Sequence, residues 1–239
     1  TIKVKNLINF FDSYLLFILY SIKKNQYKKS LEYIKNLKMH QEEGTYQFVI
    51  SIILEDYVRL FNDKKIRLDQ DSQFGKMTLI NKALQSCYLA YPNTESFFEN
   101  LINYDEENYS RYLFFYANYL ISQNNHLKAK NIFKDIEPIN STLLIAQAKK
   151  WIDVENYDAF KSIFSCKNSN DIIGEFLFII STLYSNEDEI DKSIFYYNLS
   201  YYLNPKFKFN FALMADNFYQ KKKNNKLKKI LKKFNKKNE

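Results

Sequence analysis

Apolar residues recur along this chain at intervals of three and four almost from end to end, and nowhere do they alternate with polar ones between hairpin-turn residues. That period predicts helices and no strands. The expected helices are Ser13 to Lys23, Tyr27 to Leu37, Tyr46 to Phe61, Met77 to Ala90, Thr94 to Ile102, Tyr109 to Ser122 and Leu127 to Ile136. They continue as Thr142 to Val154, Tyr157 to Phe164, Ile172 to Tyr184, Ile190 to Leu203, Phe209 to Lys221 and Lys226 to Phe234. Short polar segments such as Lys24-Asn25-Gln26 and Gln123-Asn124-Asn125-His126 join them, as in antiparallel helical hairpins. A longer polar stretch, Asn62 to Lys76, is expected to be a mobile loop open to proteolysis.

The hairpins recur. Ser30, Ala129, Phe160, Ser193 and Leu227, each early in a second helix, are separated by 99, 31, 33 and 34 residues, and 99 is three times 33. A helix-turn-helix unit of about 34 residues buries its apolar faces by stacking on its neighbours. The stretch 174–207 carries Leu177, Ile180, Ser181, Tyr184, Ile190, Ser193, Tyr197, Ser200 and Pro205 in the order of large, small and aromatic positions that resembles the tetratricopeptide repeat. Leu113, Tyr116, Ala117, Leu120, Ala129 and Phe133 resemble it less fully, as do Tyr14, Phe17, Tyr27, Ser30 and Ile34. The last unit has Phe211, Met214, Ala215, Phe218, Leu227, Leu231 and Phe234. In its order of degenerate repeats the chain also resembles divergent bacterial members of that family, from AT-rich alphaproteobacteria. His126 and Phe160 depart from the pattern, the second implying wider helix spacing, and Gln41 to Asp105 shows no clear repeat.

Composition supports long helices with short connections. Three Gly and three Pro among 239 residues are too few for the turns of a many-stranded sandwich or barrel. With 46% hydrophobic residues, 21 Phe and 20 Tyr, material for a core is plentiful. Cys87 and Cys166 lie far apart without a C-x-x-C spacing, and both are expected to be buried packing residues rather than a disulfide or a zinc site. The most apolar stretches are shorter than a membrane span and carry Asp12 and Glu175. The first residue is Thr1 rather than Met, which leaves the compartment undecided.

The net charge of +8 changes meaning once it is located. Residues 221–239 hold ten Lys against one Glu, so the first 220 residues carry 25 basic and 26 acidic side chains. In the tail, Leu227, Ile230, Leu231 and Phe234 follow helical spacing and leave a lysine face. The segment suits a solvated cap of the repeat array, a helix lying on an anionic membrane, or a nonspecific nucleic-acid contact through Lys221 to Lys237.

Candidate chemistry is sparse. His40 and His126 are the only histidines and neither has ligands at metal spacing. Gly44, Gly75 and Gly174 are isolated, so no phosphate-cradling loop is present. The runs Asp105-Glu106-Glu107 and Glu187-Asp188-Glu189 sit at helix ends, where carboxylates cap helices. Trp151 falls on the apolar face of its helix and is expected in the core. No cofactor, metal, catalytic residue or small-molecule substrate is therefore expected.

The expected architecture is an all-α, right-handed α-solenoid over residues 1–220, degenerate at 41–105, with 221–239 as a basic capping tail. The resemblance implies a non-catalytic scaffold that binds a protein or peptide along the concave face of its first helices. Exposed groove positions would be Arg111, Phe114 and Asn118, then Glu175, Phe178 and Thr182, then Asp216 and Tyr219.

Overall fold

A computed structural model describes residues 11–65, 76–103 and 110–222, together with Asn225 and Lys228. The fold is all-α: the described residues form twelve α-helices and no strand. These are α1 (Phe11–Lys23), α2 (Tyr27–Lys38), α3 (Tyr46–Asp63), α4 (Lys76–Leu89), α5 (Thr94–Asn103) and α6 (Ser110–Ser122), followed by α7 (His126–Ile132), α8 (Leu143–Asp153), α9 (Tyr157–Ile163), α10 (Ser169–Asn186), α11 (Ile190–Leu203) and α12 (Phe209–Gln220). Most of the expected loop 62–76 lies outside the described residues. So do Asp105-Glu106-Glu107 and the tail positions Leu227, Ile230, Leu231 and Phe234.

Two compact units divide the chain. The first comprises residues 1–104 with 166–173, and the second residues 105–165 with 174–239. In the first, α1 buries Leu15, Ile18, Leu19 and Ile22, α2 buries Ile34 and Leu37, and α3 buries Ile50, Leu54, Tyr57 and Phe61. In the second, Phe178, Ile190, Tyr197, Phe211, Met214 and Phe218 form one cluster.

One turn recurs along the sequence. Asn25, Ala90, Asn124, Glu155, Asp188 and Lys222 each follow a helix with a positive φ between 54° and 65°; Lys64, which ends α3 with φ 56°, falls outside their spacing. At five of them the next residue donates its N–H to the carbonyl five residues back: Gln26 to Ser21, Tyr91 to Ser86, Asn125 to Leu120, Asn156 to Trp151 and Glu189 to Tyr184, all at 2.8–2.9 Å. This left-handed cap satisfies carbonyls that the helix end leaves open. The positions lie 65, 34, 31, 33 and 34 residues apart. In the middle segment α4 and α5 are joined by the same turn, at Ala90, as the other hairpins.

Second helices begin alike. Asn125 and Asn156 cap α7 and α9 through their side chains. Ser30, Ala129 and Ser193 are fully buried, and the Ser181 hydroxyl bonds the Ser193 carbonyl at 2.8 Å. Two residues past the turn, His126 stacks on Tyr157, with ring centroids 4.0 Å apart.

Helix α7 ends at Ile132, short of the expected Ile136. Pro138 forces Glu137 into an extended conformation (φ −89°, ψ 114°) and heads a short 3₁₀ turn, Pro138–Asn140.

The cysteines differ from expectation. Both are buried, but as a disulfide: Cys87 in α4 and Cys166 ahead of α10 have their Cα atoms 5.8 Å apart, 79 residues apart in sequence. Both lie in the first unit, where Lys167 Nζ also donates to the Tyr88 carbonyl at 2.9 Å and the Tyr27 hydroxyl meets Ser169 Oγ at 3.1 Å.

Candidate functional site

The second unit is built around α6 (SRYLFFYANYLIS), which carries Arg111, Asn118 and Ser122 along one face and apolar side chains around the rest. So wide an apolar surface belongs inside, and Phe114, Phe115, Tyr116, Ala117, Asn118, Leu120 and Ile121 are all at most 3% exposed. The chain brings α7, α8 and α9 against it. Four of the eight expected groove residues are buried rather than exposed, Phe114 and Asn118 on α6 and Glu175 and Phe178 on α10. Phe114 stacks on Phe160 with centroids 5.3 Å apart, and Phe160, in a place where a small residue was expected, also meets Trp151 edge-on. Asn118 Nδ2 donates to the carbonyls of Phe160 and Phe164, both at 3.0 Å, and so closes the end of α9. Glu175 and Phe178 are each only 3% exposed.

Arg111 and Glu175 are brought together. The guanidinium donates from Nε to Glu175 Oε1 at 2.8 Å and from Nη2 to Oε2 at 2.6 Å, with a further bond from Nη2 to Asn210 Oδ1 at 2.7 Å. Its central carbon lies 4.6 Å from the ring of Phe178, 5.1 Å from Phe207 and 5.5 Å from Phe115. Aromatic faces and a bidentate carboxylate together compensate a charge held largely away from water. Thr182 is half-buried and spends its hydroxyl on the Phe178 carbonyl at 3.1 Å. Asp216 and Tyr219 on α12 are exposed.

Arg111 and Asp216 also meet at a pocket of about 330 Å³ within the second unit. Its apolar wall is Leu143 and Leu144 from the start of α8 with Phe209, Ala212 and Leu213 from α12. Arg111, Ser141, Thr142 and Asp216 supply its polar atoms. Thr142 caps α8 by accepting from the Ile145 N–H, which leaves the Leu143 and Leu144 N–H groups without an intrahelical acceptor. Leu143 is 60% and Leu213 36% exposed, so the wall continues onto the surface. The segment Ser141–Leu144 and Asn210 carried no signal in the sequence, because their role depends on which helices pack together.

The pocket holds no histidine or thiol, and Asp216 is its one carboxylate. Among the described residues no three His, Cys, Asp or Glu converge as metal ligands, and no helix is long and apolar enough to cross a membrane. This arrangement can hold an apolar side chain and bond a backbone beside it. No known protein family, curated protein or solved structure matches the chain.

Proposed function

We propose that this chain is a non-catalytic binding scaffold, a right-handed α-solenoid of tetratricopeptide-like hairpins that takes a segment of another protein in the pocket lined by Arg111 and Asp216. The observation that carries the reading is that pocket. It sets an exposed apolar wall, Leu143 and Leu213, beside the N-terminal end of α8 and the polar atoms of Ser141 and Asp216. Concave, mostly apolar sites with a few polar groups accept one anchoring side chain and fix the backbone next to it. The recurring turn every 31–34 residues from Ala90 to Lys222 supports the repeat reading. Because Arg111 is already paired with Glu175, the pocket selects by shape and apolar fit more than by bare charge.

Selection of displayed random peptides on the full chain tests this. The expected result is a set of peptides sharing an apolar anchor residue, which lose about tenfold or more in affinity for Leu143→Asp with Leu213→Asp, a loss of the size that a buried hot-spot side chain carries. Peptides that bind parent and variant equally would remove the pocket from the function.

A further inference from the structure

In the first unit, α1 is apolar on two sides but buries only one. Leu15, Ile18, Leu19 and Ile22 face the core, while Leu16 and Tyr20, one turn apart, are 50% and 52% exposed. The outer face continues onto α2, because Phe17 stacks on Tyr33 with centroids 5.5 Å apart. Lysines frame these rings: Lys24 Nζ lies 5.9 Å from the Tyr20 ring and Lys29 Nζ 5.9 Å from that of Tyr33. Lys28 and Lys35 extend the basic surface, and the four lysines 24, 28, 29 and 35 are exposed and make no ion pair among the described residues. The exposed carboxylates of the hairpin are Asp12, one turn before Leu16 on α1, and Glu32 on α2, against these four lysines.

We infer that this face of the α1–α2 hairpin docks on an anionic phospholipid surface, Leu16 and Tyr20 entering the headgroup boundary while the lysines meet lipid phosphates and carboxylates. Charge sets the sign of the partner. Two features favour lipid over nucleic acid. Half-exposed Leu16 offers nothing to a phosphodiester backbone but fits an acyl boundary. The faces of Phe17 and Tyr33 are engaged with each other rather than open for bases, and the hairpin has no arginine. Lysine stems lie along apolar surface with their ammonium groups at headgroup level.

The test is flotation of the full chain with vesicles of phosphatidylcholine alone or with about 30% phosphatidylserine, alongside single-stranded DNA binding. Two variants are compared with the parent, Lys24→Glu with Lys29→Glu and Leu16→Ser with Tyr20→Ser. The parent should float only with the anionic vesicles. Each variant should lose about tenfold or more in partition while melting like the parent, and added salt should weaken the parent. Variants that float like the parent overturn the proposal, since the attachment would then lie elsewhere, as in the lysine tail. So do a parent that binds DNA in preference to vesicles and a Leu16→Ser, Tyr20→Ser variant that unfolds, which would mean the chain itself covers this face. Peptide binding at the Arg111 pocket is measured separately and is unaffected by either outcome.

Discussion

Arg111 grips Glu175 through two parallel hydrogen bonds of 2.8 and 2.6 Å, with the carboxylate side chain 2% exposed and the guanidinium side 14%. Removing one partner of such a pair leaves a buried charge uncompensated. Glu175→Ala is therefore expected to cost about 3–5 kcal/mol, whereas Arg111→Met with Glu175→Leu, which removes both charges, should recover most of that loss. Chemical denaturation of the three proteins checks this. A single variant as stable as the parent would contradict the buried pairing.

Glu55 supplies a pH-dependent contribution. Burial pushes its carboxyl up, but hydrogen bonds from Lys38 at 2.7 Å and from Arg59 at 2.8 and 2.6 Å, with their charges, outweigh burial and hold it below the ordinary value of 4.5. A carboxyl depressed in the folded protein stabilises it above the unfolded value, and the contribution fades as pH falls through the folded one. Lys38→Met with Arg59→Met should be less stable than the parent near pH 7, by at most about 1 kcal/mol for each partly exposed pair. The difference should close as pH falls through the depressed folded value, below which the carboxyl is protonated in both states. A gap that stays constant over that range would show that packing, not charge, carries it.

The Cys87–Cys166 bond predicts that unfolded, unreduced protein has no free thiol. Replacing both cysteines by Ser should cost about 4 kcal/mol for a closed loop of this length. Thiol titration in denaturant, with and without prior reduction, decides it. Titration of chain taken from its own cells also reads the compartment, since such bonds persist where the surroundings are oxidising.

At Ala90 a side chain occupies a left-handed conformation, φ 54°, that glycine adopts freely. Ala90→Gly should raise stability by about 0.5–1 kcal/mol, the relief of strain exceeding the added freedom of the unfolded chain. Loss of stability would mean that the Ala90 methyl group packs usefully.

What could be read from the residues divides along the same physical lines. Helices were legible to within a few residues because caps such as Thr45 and Thr142 and the turn residues Asn25 and Asn124 act locally. The break between the helices ending at Ala90 and starting at Thr94 was legible, but its left-handed geometry was not, because alanine carries no turn signal. The disulfide joins residues 79 apart with no spacing to announce it. At the site, repeat register placed Phe114 and Asn118 on an exposed groove, but α9 packs there: Phe114 stacks on Phe160, and Asn118 bonds the carbonyls of Phe160 and Phe164, contacts that only tertiary packing sets. Arg111 and Asp216, expected along a groove of first helices, line a pocket whose wall comes from Leu143, Leu144 and Leu213, which only tertiary packing assembles.

The central claim is that a peptide segment binds at the Arg111 pocket, and amide hydrogen exchange of the full chain with and without a selected peptide tests it most directly. The Leu143 and Leu144 amides, at the start of α8, should exchange faster in the free protein than with peptide bound, as should the Ala212–Asp216 face of α12. Protection confined to other helices, with exchange at Leu143, Leu144 and Leu213 unchanged, would contradict the account.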